Sequence, residues 1–388
     1  MAQPPASGSP ARTDPAELDL TGDLVELTRA LVDIESVSHH EARITDAVER
    51  ALRAVPHLNV ERIDNQLVAR TDWGRAERVV LAGHLDTVPV ADRDGVRNLP
   101  CRIEGEVRDG VDRRRLLGRG TCDMKGGVAV FLQVIASLTD AQRDLTLVLY
   151  DCEEIEEEYN GLRHLAEVRP ELLAGDFALL GEPTSGAVEG GCQGTLRVRI
   201  TTTGTAAHSA RSWMGHNAIH DAADVLARLQ AYEPRQIPVE GLTYREGLNA
   251  VKIEGGIAGN VVPDRCVITI NYRFAPDKTP EQALAHVQDV FAGYELELTD
   301  LGPAARPGLD RPLAREFLAA VGGEAAPKYG WTDVARFSGL GVPAVNFGPG
   351  DALLAHKDDE ECPAADLVAC RDALLDWLRP ARTTSRTE

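Results

Sequence analysis

The sequence predicts an α/β protein whose chain is interrupted by a smaller α+β domain. Near both ends of the chain, continuous apolar runs of strand length alternate with helical patterns, which is typical of a sheet covered on both faces. In the middle of the chain, the strand-like runs alternate apolar and polar residues, as expected for a sheet with one exposed face. The length of 388 residues is sufficient for about two domains with hydrophobic cores.

The first α/β part follows a Pro-, Ser- and Ala-rich start, residues 1–16, which is predicted to be a disordered tail. Its predicted elements are a helix at 18–32, a strand at 78–82, a helix at 127–138 and strands at 145–150 and 177–180. The same pattern returns later in the chain, with a helix at 311–321 and a strand at 344–347. The middle domain is therefore predicted to be inserted in the first.

The predicted insert begins with the alternating stretch "TLRVRITTTG". It continues with a helix at 217–229, strands at 250–254 and 267–273, a helix at 280–291 and a strand at 294–298. This β-α-β-β-α-β order is that of a ferredoxin-like, split βαβ module. The predicted domains are 17–191, 192–303 and 304–388, with candidate hinges at 190–194 and 302–308.

Charge and composition exclude several classes of partner. The chain has 41 Lys and Arg against 61 Asp and Glu, a formal net charge of −20, which argues against binding to nucleic acid or to an anionic membrane. No signal-peptide pattern or membrane-length apolar run is present, so a cytoplasmic protein is expected. Seven cysteines without CxxC spacing predict reduced thiols.

Ionisable side chains follow the apolar strands, at the edge of an α/β sheet where ligands usually bind. Those residues are His84, Asp86, Asp123, Glu153, Glu154, Glu182 and His356. A single His-x-Asp at a strand end is most often an ordinary loop with a local hydrogen bond. Together, however, imidazoles and carboxylates without a thiolate indicate zinc or a similar divalent ion, and the set exceeds what one tetrahedral ion needs.

Five motifs carry a resemblance to a known family. In chain order they are "GHLDTVP", "GRGTCDMKGG", "YDCEE", "LLGEPT" and "AHKDDE". They resemble the signatures of the dinuclear-zinc amidohydrolases, which include acetylornithine deacetylase, glutamate carboxypeptidase and succinyl-diaminopimelate desuccinylase. The resemblance covers almost the whole chain and implies a zinc-peptidase-like catalytic domain, with the insert as the dimerisation domain of a homodimer.

The resemblance also implies two Zn²⁺ ions per chain, with Co²⁺ or Mn²⁺ as alternatives. His84 and Glu182 would bind one ion, and Glu154 and His356 would bind the other. Asp123 would bridge the two ions.

Two further roles are implied beside the metal ligands. Asp86 would accept the second N–H of the His84 imidazole and fix its tautomer. Glu153 would be the catalytic acid/base, which takes a proton from water and delivers it to the leaving amine. The acidic run 156–158 offers alternative carboxylates, and Cys152 stands where many relatives carry Asp.

Substrate contacts are implied at several positions. His208 matches the histidine that relatives send into the partner's active site to stabilise the oxyanion, although it could also be a loop histidine that caps a helix. Arg273, Arg336 and Thr332 match positions that bind a substrate carboxylate, to which a guanidinium donates two parallel hydrogen bonds. Arg336 could instead form a structural ion pair.

The pattern also departs from that of the desuccinylases. Cys192 and Gln193 stand where several of them carry arginine, so Arg211 is a candidate substitute. Asn260 is a further candidate for substrate binding, although Gly259 precedes it where they have a second asparagine.

The main functional hypothesis is hydrolysis of a succinylated diaminopimelate by a dizinc amidase that acts on a small-molecule substrate. The nearest rival is another acyl-amino-acid hydrolase on the same site, such as an acetylornithine deacetylase or a dipeptidase. A rival of another class is a binding protein that has kept the fold and lost the chemistry. The complete set of predicted ligands and the Glu153 carboxylate argue against that last hypothesis.

Overall fold

The structure is a computed structural model and describes residues 17–93 and 95–380. The predicted tail at residues 1–16 lies outside the described residues. Within them, a mixed sheet of eight strands forms the α/β part, and an antiparallel sheet of four strands forms the middle part. The predicted fold class, α/β with a ferredoxin-like α+β insert, is confirmed. The exact domain boundaries stay a prediction.

The strands of the two sheets alternate with helices on the predicted pattern. In chain order the strands are β1 (Asn59–Ile63), β2 (Gln66–Arg70), β3 (Arg78–His84), β4 (Asp144–Tyr150), β5 (Phe177–Leu180), β6 (Glu189–Gly190), β7 (Gly194–Thr203), β8 (Gly247–Gly255), β9 (Arg265–Phe274), β10 (Leu296–Gly302), β11 (Ala326–Pro327) and β12 (Ala344–Asn346). The larger sheet has the order β1-β2-β4-β3-β5-β12-β6-β11, and the smaller has β8-β9-β7-β10. The helices are α1 (Leu24–Val32), α2 (Ala42–Arg53), α3 (Lys125–Ser137), α4 (Gly161–Val168), α5 (Ala218–Ala231), α6 (Pro280–Val290), α7 (Pro312–Val321), α8 (Val334–Gly339) and α9 (Ala364–Leu378).

The central strands of the larger sheet are buried on both faces. In β4, Leu145, Leu147 and Leu149 pack into the layer that contains α1, α3 and α9. Val148 and Tyr150 point the other way, into the layer that contains α4 and α8. Each such side chain contributes roughly 1.5–3 kcal/mol on burial. This two-sided burial explains why the strand is an uninterrupted apolar run.

The smaller sheet is buried on one face only, as its alternating sequence predicts. Leu196, Val198 and Ile200 of β7 pack against α5 and α6. Thr195 and Arg197 lie on the opposite face, which is more exposed. Strand β7 pairs antiparallel with both β9 and β10, so side chains of all three strands share that open face.

Several elements begin or end away from their predicted positions, for local reasons. The first helix begins at Leu24 rather than near residue 18, because the Asp23 carboxylate accepts the N–H groups of Val25 and Glu26 at 2.8 and 3.1 Å. Leu18 still packs into the core without being helical. A hairpin of Gln236–Val239 and Leu242–Arg245, which the sequence analysis did not predict, precedes β8.

The chain passes between the larger and the smaller sheet at two places, and these two segments lie side by side. Cys192 and Ala305 exchange a pair of backbone hydrogen bonds, both 3.1 Å long. Gly191, just before this bridge, has φ +58°, and a Cβ there would lie 2.3 Å from the carbonyl oxygen of Ala305. Only glycine therefore fits at this position.

Candidate metal centre and active site

The first two ionisable residues lie at the end of a central strand. Strand β3 ends at His84, which is directly opposite Tyr150 in the parallel strand β4. The loops that follow the two strands therefore leave the same edge of the sheet. This juxtaposition brings Glu153 and Glu154 next to His84 and Asp86.

Asp86 is fully buried and organises both loops. Its two carboxylate oxygens accept the backbone N–H groups of Glu153 at 3.0 Å and Glu154 at 3.1 Å. The Ser38 hydroxyl donates a further bond of 2.7 Å, and His84 Nδ1 lies 3.4 Å from Oδ1 of Asp86. Burial alone would raise the pKa of Asp86, but the contacts with His84, together with the hydrogen bonds from Ser38 and Glu153, lower it. Nδ1 of His84 is also 3.1 Å from the backbone carbonyl oxygen of Asp86, so Asp86 contacts the imidazole and holds the backbone of both glutamates.

Asp123 lies between two imidazoles. Its Oδ1 is 3.4 Å from Nε2 of His84, and its Oδ2 is 3.3 Å from Nε2 of His356. The same His356 nitrogen is 2.9 Å from Oε2 of Glu154. Ligand atoms of His84, Asp123 and Glu154 lie within 4.8 Å of one another. A carboxylate with one oxygen toward each imidazole has the arrangement required of a bridging ligand.

Two carboxylate oxygens in this cluster need a partner. Among the described residues, Oε1 of Glu154 and Oε1 of Glu182 are buried without a hydrogen bond. An unpaired buried carboxylate is unfavourable. Burial, with the nearby charge of Asp123, raises the pKa of Glu182 to about 7. Carboxylates and imidazoles that converge in this way fit divalent cations of the zinc type.

Glu153 lies beside this cluster and has a different environment. It is partly buried and lines the same cavity as Asp123 and Glu182. Burial raises the pKa of Glu153 well above its usual value; the nearby His84 opposes that shift, and the charges of Glu182 and Glu154 reinforce it. A raised pKa favours the protonated form of the carboxyl group, which suits a general acid/base.

The loops that carry Asp123 and His356 are tied together by a buried ion pair. Arg119 donates to Oε2 of Glu360 at 2.7 Å, and the two side chains are 4% and 1% exposed. Oε1 of Glu360 accepts the N–H groups of Cys122 at 3.1 Å and Asp123 at 3.2 Å. Arg119 also donates to the His356 carbonyl at 3.4 Å. Glu360 belongs to the "AHKDDE" motif, in which only His356 was predicted to have a role.

A second residue that the sequence analysis missed is Lys328. Its side chain is 9% exposed and lines the cavity, with Nζ 2.9 Å from Oε2 of Glu189. Burial would lower the pKa of Lys328, but the charges of Glu182 and Glu189 outweigh it and raise the pKa. The chain contains only five lysines, and this scarcity is the one feature of the sequence that could have drawn attention to Lys328.

A cavity of about 690 Å³ opens onto the cluster. The predicted site residues in its walls are Asp123, Glu153, Glu154, Glu182, Arg273, Thr332 and His356. Burial and the neighbouring Arg197 lower the pKa of Arg273. The Thr332 hydroxyl is held by Oδ1 of Asn346 at 2.9 Å.

Arg336 is not among the residues that line this cavity. Its guanidinium pairs with Asp333 at 3.0 Å and with Glu157 at 2.9 Å. This is the structural ion pair that the sequence analysis named as the alternative, and it also occupies one of the alternative carboxylates. A direct substrate contact by Arg336 stays a prediction.

Three other predicted residues lie on exposed parts of the insert, away from the walls of that cavity. Nδ1 of His208 accepts the N–H of Ala210 at 3.0 Å, and the Asn260 carbonyl accepts the N–H of Ser209 at 2.9 Å. Arg211 is exposed in the same segment. The structure contains one chain, so their action in a partner's site stays a prediction.

Comparison with known proteins places the chain in a family. Residues 80–379 match peptidase family M20/M25/M40. A Mycobacterium tuberculosis protein, provisionally named a succinyl-diaminopimelate desuccinylase, is 52% identical over 364 residues, which cover 93% of this chain and 99% of that protein. The succinyl-diaminopimelate desuccinylase of Corynebacterium glutamicum is 46% identical over 372 residues, covering 93% of this chain and 97% of that protein.

A solved structure shows the same fold. The M20 family metallo-carboxypeptidase of Sulfolobus solfataricus has a TM-score of 0.73 and 17% identity, over 92% of this chain and 98% of that one. Within the described ranges, no helix has the length and apolar character needed to cross a membrane. The family match over most of the chain identifies the protein as a hydrolase that belongs to peptidase family M20/M25/M40.

Proposed function

We propose that this protein hydrolyses the amide bond of N-succinyl-LL-2,6-diaminopimelate and releases succinate and LL-2,6-diaminopimelate, in the biosynthesis of diaminopimelate and lysine. The observation that carries this proposal is the identity of 46–52% to proteins named as desuccinylases, over more than nine-tenths of the chain. The converging ligand cluster supports it, because a protein that had only kept the fold would have lost part of that set. Other acyl-amino-acid hydrolases are the second candidate.

The proposed cofactor is a pair of divalent cations, Zn²⁺ in the first instance. His84 and Glu182 would hold one ion, Glu154 and His356 the other, and Asp123 would lie between them. The buried, unpaired oxygens of Glu154 and Glu182 support this assignment. When bound, such ions supply Lewis acidity and a water of lowered pKa.

Glu153 would move the proton during hydrolysis. Its carboxylate takes a proton from the attacking water and gives it to the amine as the amide C–N bond breaks. The Asp86 carboxylate accepts the backbone N–H of Glu153 at 3.0 Å, and this hydrogen bond fixes the backbone position from which the Glu153 side chain extends. Closure of the cavity around the substrate would strengthen these electrostatic interactions by removing water.

A homodimer is proposed from the surface of the insert. Strand β8 is an edge strand, and its Val251 and Ile253 are 58% and 49% exposed. Trp213 and Ile257 nearby in the insert are 78% and 84% exposed. Exposed apolar edges of this kind are typical of protein–protein interfaces. In such a dimer, His208 of a second copy would stabilise the oxyanion.

The proposed location is the cytoplasm. All seven cysteines lie in the described residues, and none of them forms a disulfide. Reduced thiols are the usual state in that compartment.

The proposed contact for the succinyl carboxylate is Arg273, with Thr332 beside it in the cavity wall. Burying a carboxylate without a partner costs several kcal/mol, so a pocket for this group needs a cation or well-placed donors. An acetyl group carries no such charge and would leave the Arg273 donors desolvated and unpaired. Defects of this kind reduce kcat/KM by orders of magnitude.

A substrate panel tests the proposal. Purified protein loaded with zinc should prefer N-succinyl-LL-2,6-diaminopimelate over its acetyl analogue and over acetylornithine by roughly 10²-fold or more in kcat/KM. The preference should shrink in Arg273→Ala and persist in Arg265→Ala, an exposed arginine at the other end of β9. Equal or better turnover of acetylornithine by the unaltered protein would contradict the desuccinylase assignment and favour the deacetylase.

A further inference from the structure

We propose that Arg197 and Asp300 form a subsite for an α-amino-acid zwitterion, namely the distal ammonium and carboxylate of the substrate. The inference rests on the proposed function, because that substrate carries a free amino-acid group at the end opposite its acyl group. It adds a site that determines specificity, remote from the bond that is cleaved.

The two residues are neighbours on the open face of the insert. Arg197 in β7 is directly opposite Asp300 in β10. Both lie in the wall of the 690 Å³ cavity that contains the ligand cluster. Both also line an adjoining cavity of about 610 Å³, whose wall includes Glu154. A substrate with its amide at Glu153 and Glu154 could therefore extend toward this pair.

Arg197 and Asp300 form a loose ion pair without a hydrogen bond between them. Nη1 of Arg197 lies 3.8 Å from Oδ2 of Asp300, beyond hydrogen-bond distance. Neither side chain makes a hydrogen bond to any residue that the structure describes. Arg336, by contrast, has charged partners at 2.9 and 3.0 Å. The donors of Arg197 and the acceptors of Asp300 are therefore available to a ligand.

The chemistry of the pair matches a zwitterion better than a single charge. A carboxylate placed near Arg197 can accept two parallel hydrogen bonds, and an ammonium can donate to Asp300. The side chains are 42% and 22% exposed, so a bound ligand would remove water from both. A ligand with only the ammonium would leave the guanidinium desolvated and unpaired.

Arg273 and Arg197 then have separate tasks. Both line the cavity, from the neighbouring strands β9 and β7 of the smaller sheet. Besides the carboxylate next to its amide, the substrate has a succinyl carboxylate and a distal carboxylate at opposite ends, and each end requires its own cationic contact in the cavity. Lys328, a third cation in the cavity wall, is already 2.9 Å from Glu189. With Arg273 assigned to the acyl end, Arg197 is therefore the cation for the amino-acid end.

Three succinylated substrates test the subsite. They are N-succinyl-LL-2,6-diaminopimelate, Nα-succinyl-L-lysine, which lacks the distal carboxylate, and N-succinyl-L-2-aminopimelate, which lacks the distal ammonium. In Arg197→Ala, the preference in kcat/KM for the diaminopimelate compound over the lysine compound should fall roughly 10-fold or more. In Asp300→Asn, its preference over the aminopimelate compound should fall by a similar factor.

A matched control lies two residues along the same strand. Arg199 pairs with Glu297 at 3.5 Å, just as Arg197 faces Asp300, but it is absent from the walls of both cavities. Arg199→Ala should leave both preferences as they are in the unaltered protein. Because each preference is a ratio measured within one variant, a smaller folded fraction cancels out.

Two outcomes would overturn the inference. One is an Arg197→Ala variant that keeps the full preference for the diaminopimelate compound over the lysine compound. The other is an unaltered protein without that preference. Failure of the proposed function looks different, because the unaltered protein would then hydrolyse none of the three succinylated compounds efficiently.

Discussion

Replacing Glu360 by Gln tests whether the buried Arg119–Glu360 pair positions the metal ligands. Glu360 accepts four hydrogen bonds, one from Arg119, two from the N–H groups of Cys122 and Asp123, and one from the Cys122 thiol. A Gln side chain has one carbonyl oxygen, so its amide group must face either the guanidinium or the two N–H groups. Removing one partner of a buried ion pair costs about 3–5 kcal/mol of stability, and losing hydrogen bonds that position metal ligands weakens metal binding about 10–100-fold. Glu360→Gln is expected to show both effects.

The control is the neighbouring residue. Glu361 pairs with Arg115 at 2.9 Å, but the two side chains are 22% and 49% exposed. Glu361→Gln should therefore change stability by only about 0–1 kcal/mol. Metal affinity is measured by titrating the zinc-loaded protein with a chelator, and the urea midpoint is measured on the same samples. The reasoning is refuted if Glu360→Gln matches Glu361→Gln in both measurements.

Three further outcomes are expected. Glu153→Gln should keep its metal content by elemental analysis and lose roughly 10²-fold or more in kcat, whereas Glu154→Gln should lose metal. Ile253→Glu on the exposed edge strand should shift the protein toward a monomer in sedimentation experiments, because it places a charge in the proposed interface. Burial would raise the pKa of Glu246, but bonds from Lys278 and Ala275 outweigh it and lower the pKa. The ionised Glu246 carboxylate therefore stabilises the fold above about pH 4.3, and this stabilisation is lost as pH falls further. Glu246→Gln should make the stability depend less on pH in acid unfolding monitored by fluorescence.

Much of the fold could be predicted because burial leaves a periodic signal. The continuous apolar run in β4 and the alternation in β7 each reported which faces of a strand are covered. The predicted family is confirmed by the match over residues 80–379. Local hydrogen bonds leave a weaker signal. The first helix begins later than predicted because Asp23 caps it, and the hairpin before β8 was not predicted.

The candidate site shows the same division. The structure brings His84, Asp123, Glu154 and His356 together, as strand order and the resemblance implied. Their roles as ligands stay predictions. The position of Arg336 could not be derived from sequence, because its choice between substrate and protein partners depends on where Asp333 and Glu157 lie in three dimensions. The same holds for Glu360, whose partners are more than 230 residues away in sequence.

The bridge between Cys192 and Ala305 bears on how the chain folds. Strand β11 pairs with β6 in the larger sheet, so the chain that connects these two strands must bring its two ends together before β11 can join. An unfolded loop of about 110 residues makes that return costly in entropy, whereas a folded insert presents its two ends one hydrogen-bonded pair apart. By loop-closure scaling the difference is roughly 3 kcal/mol. Early folding of the insert would therefore speed completion of the larger sheet, although the insert contributes no strand to that sheet.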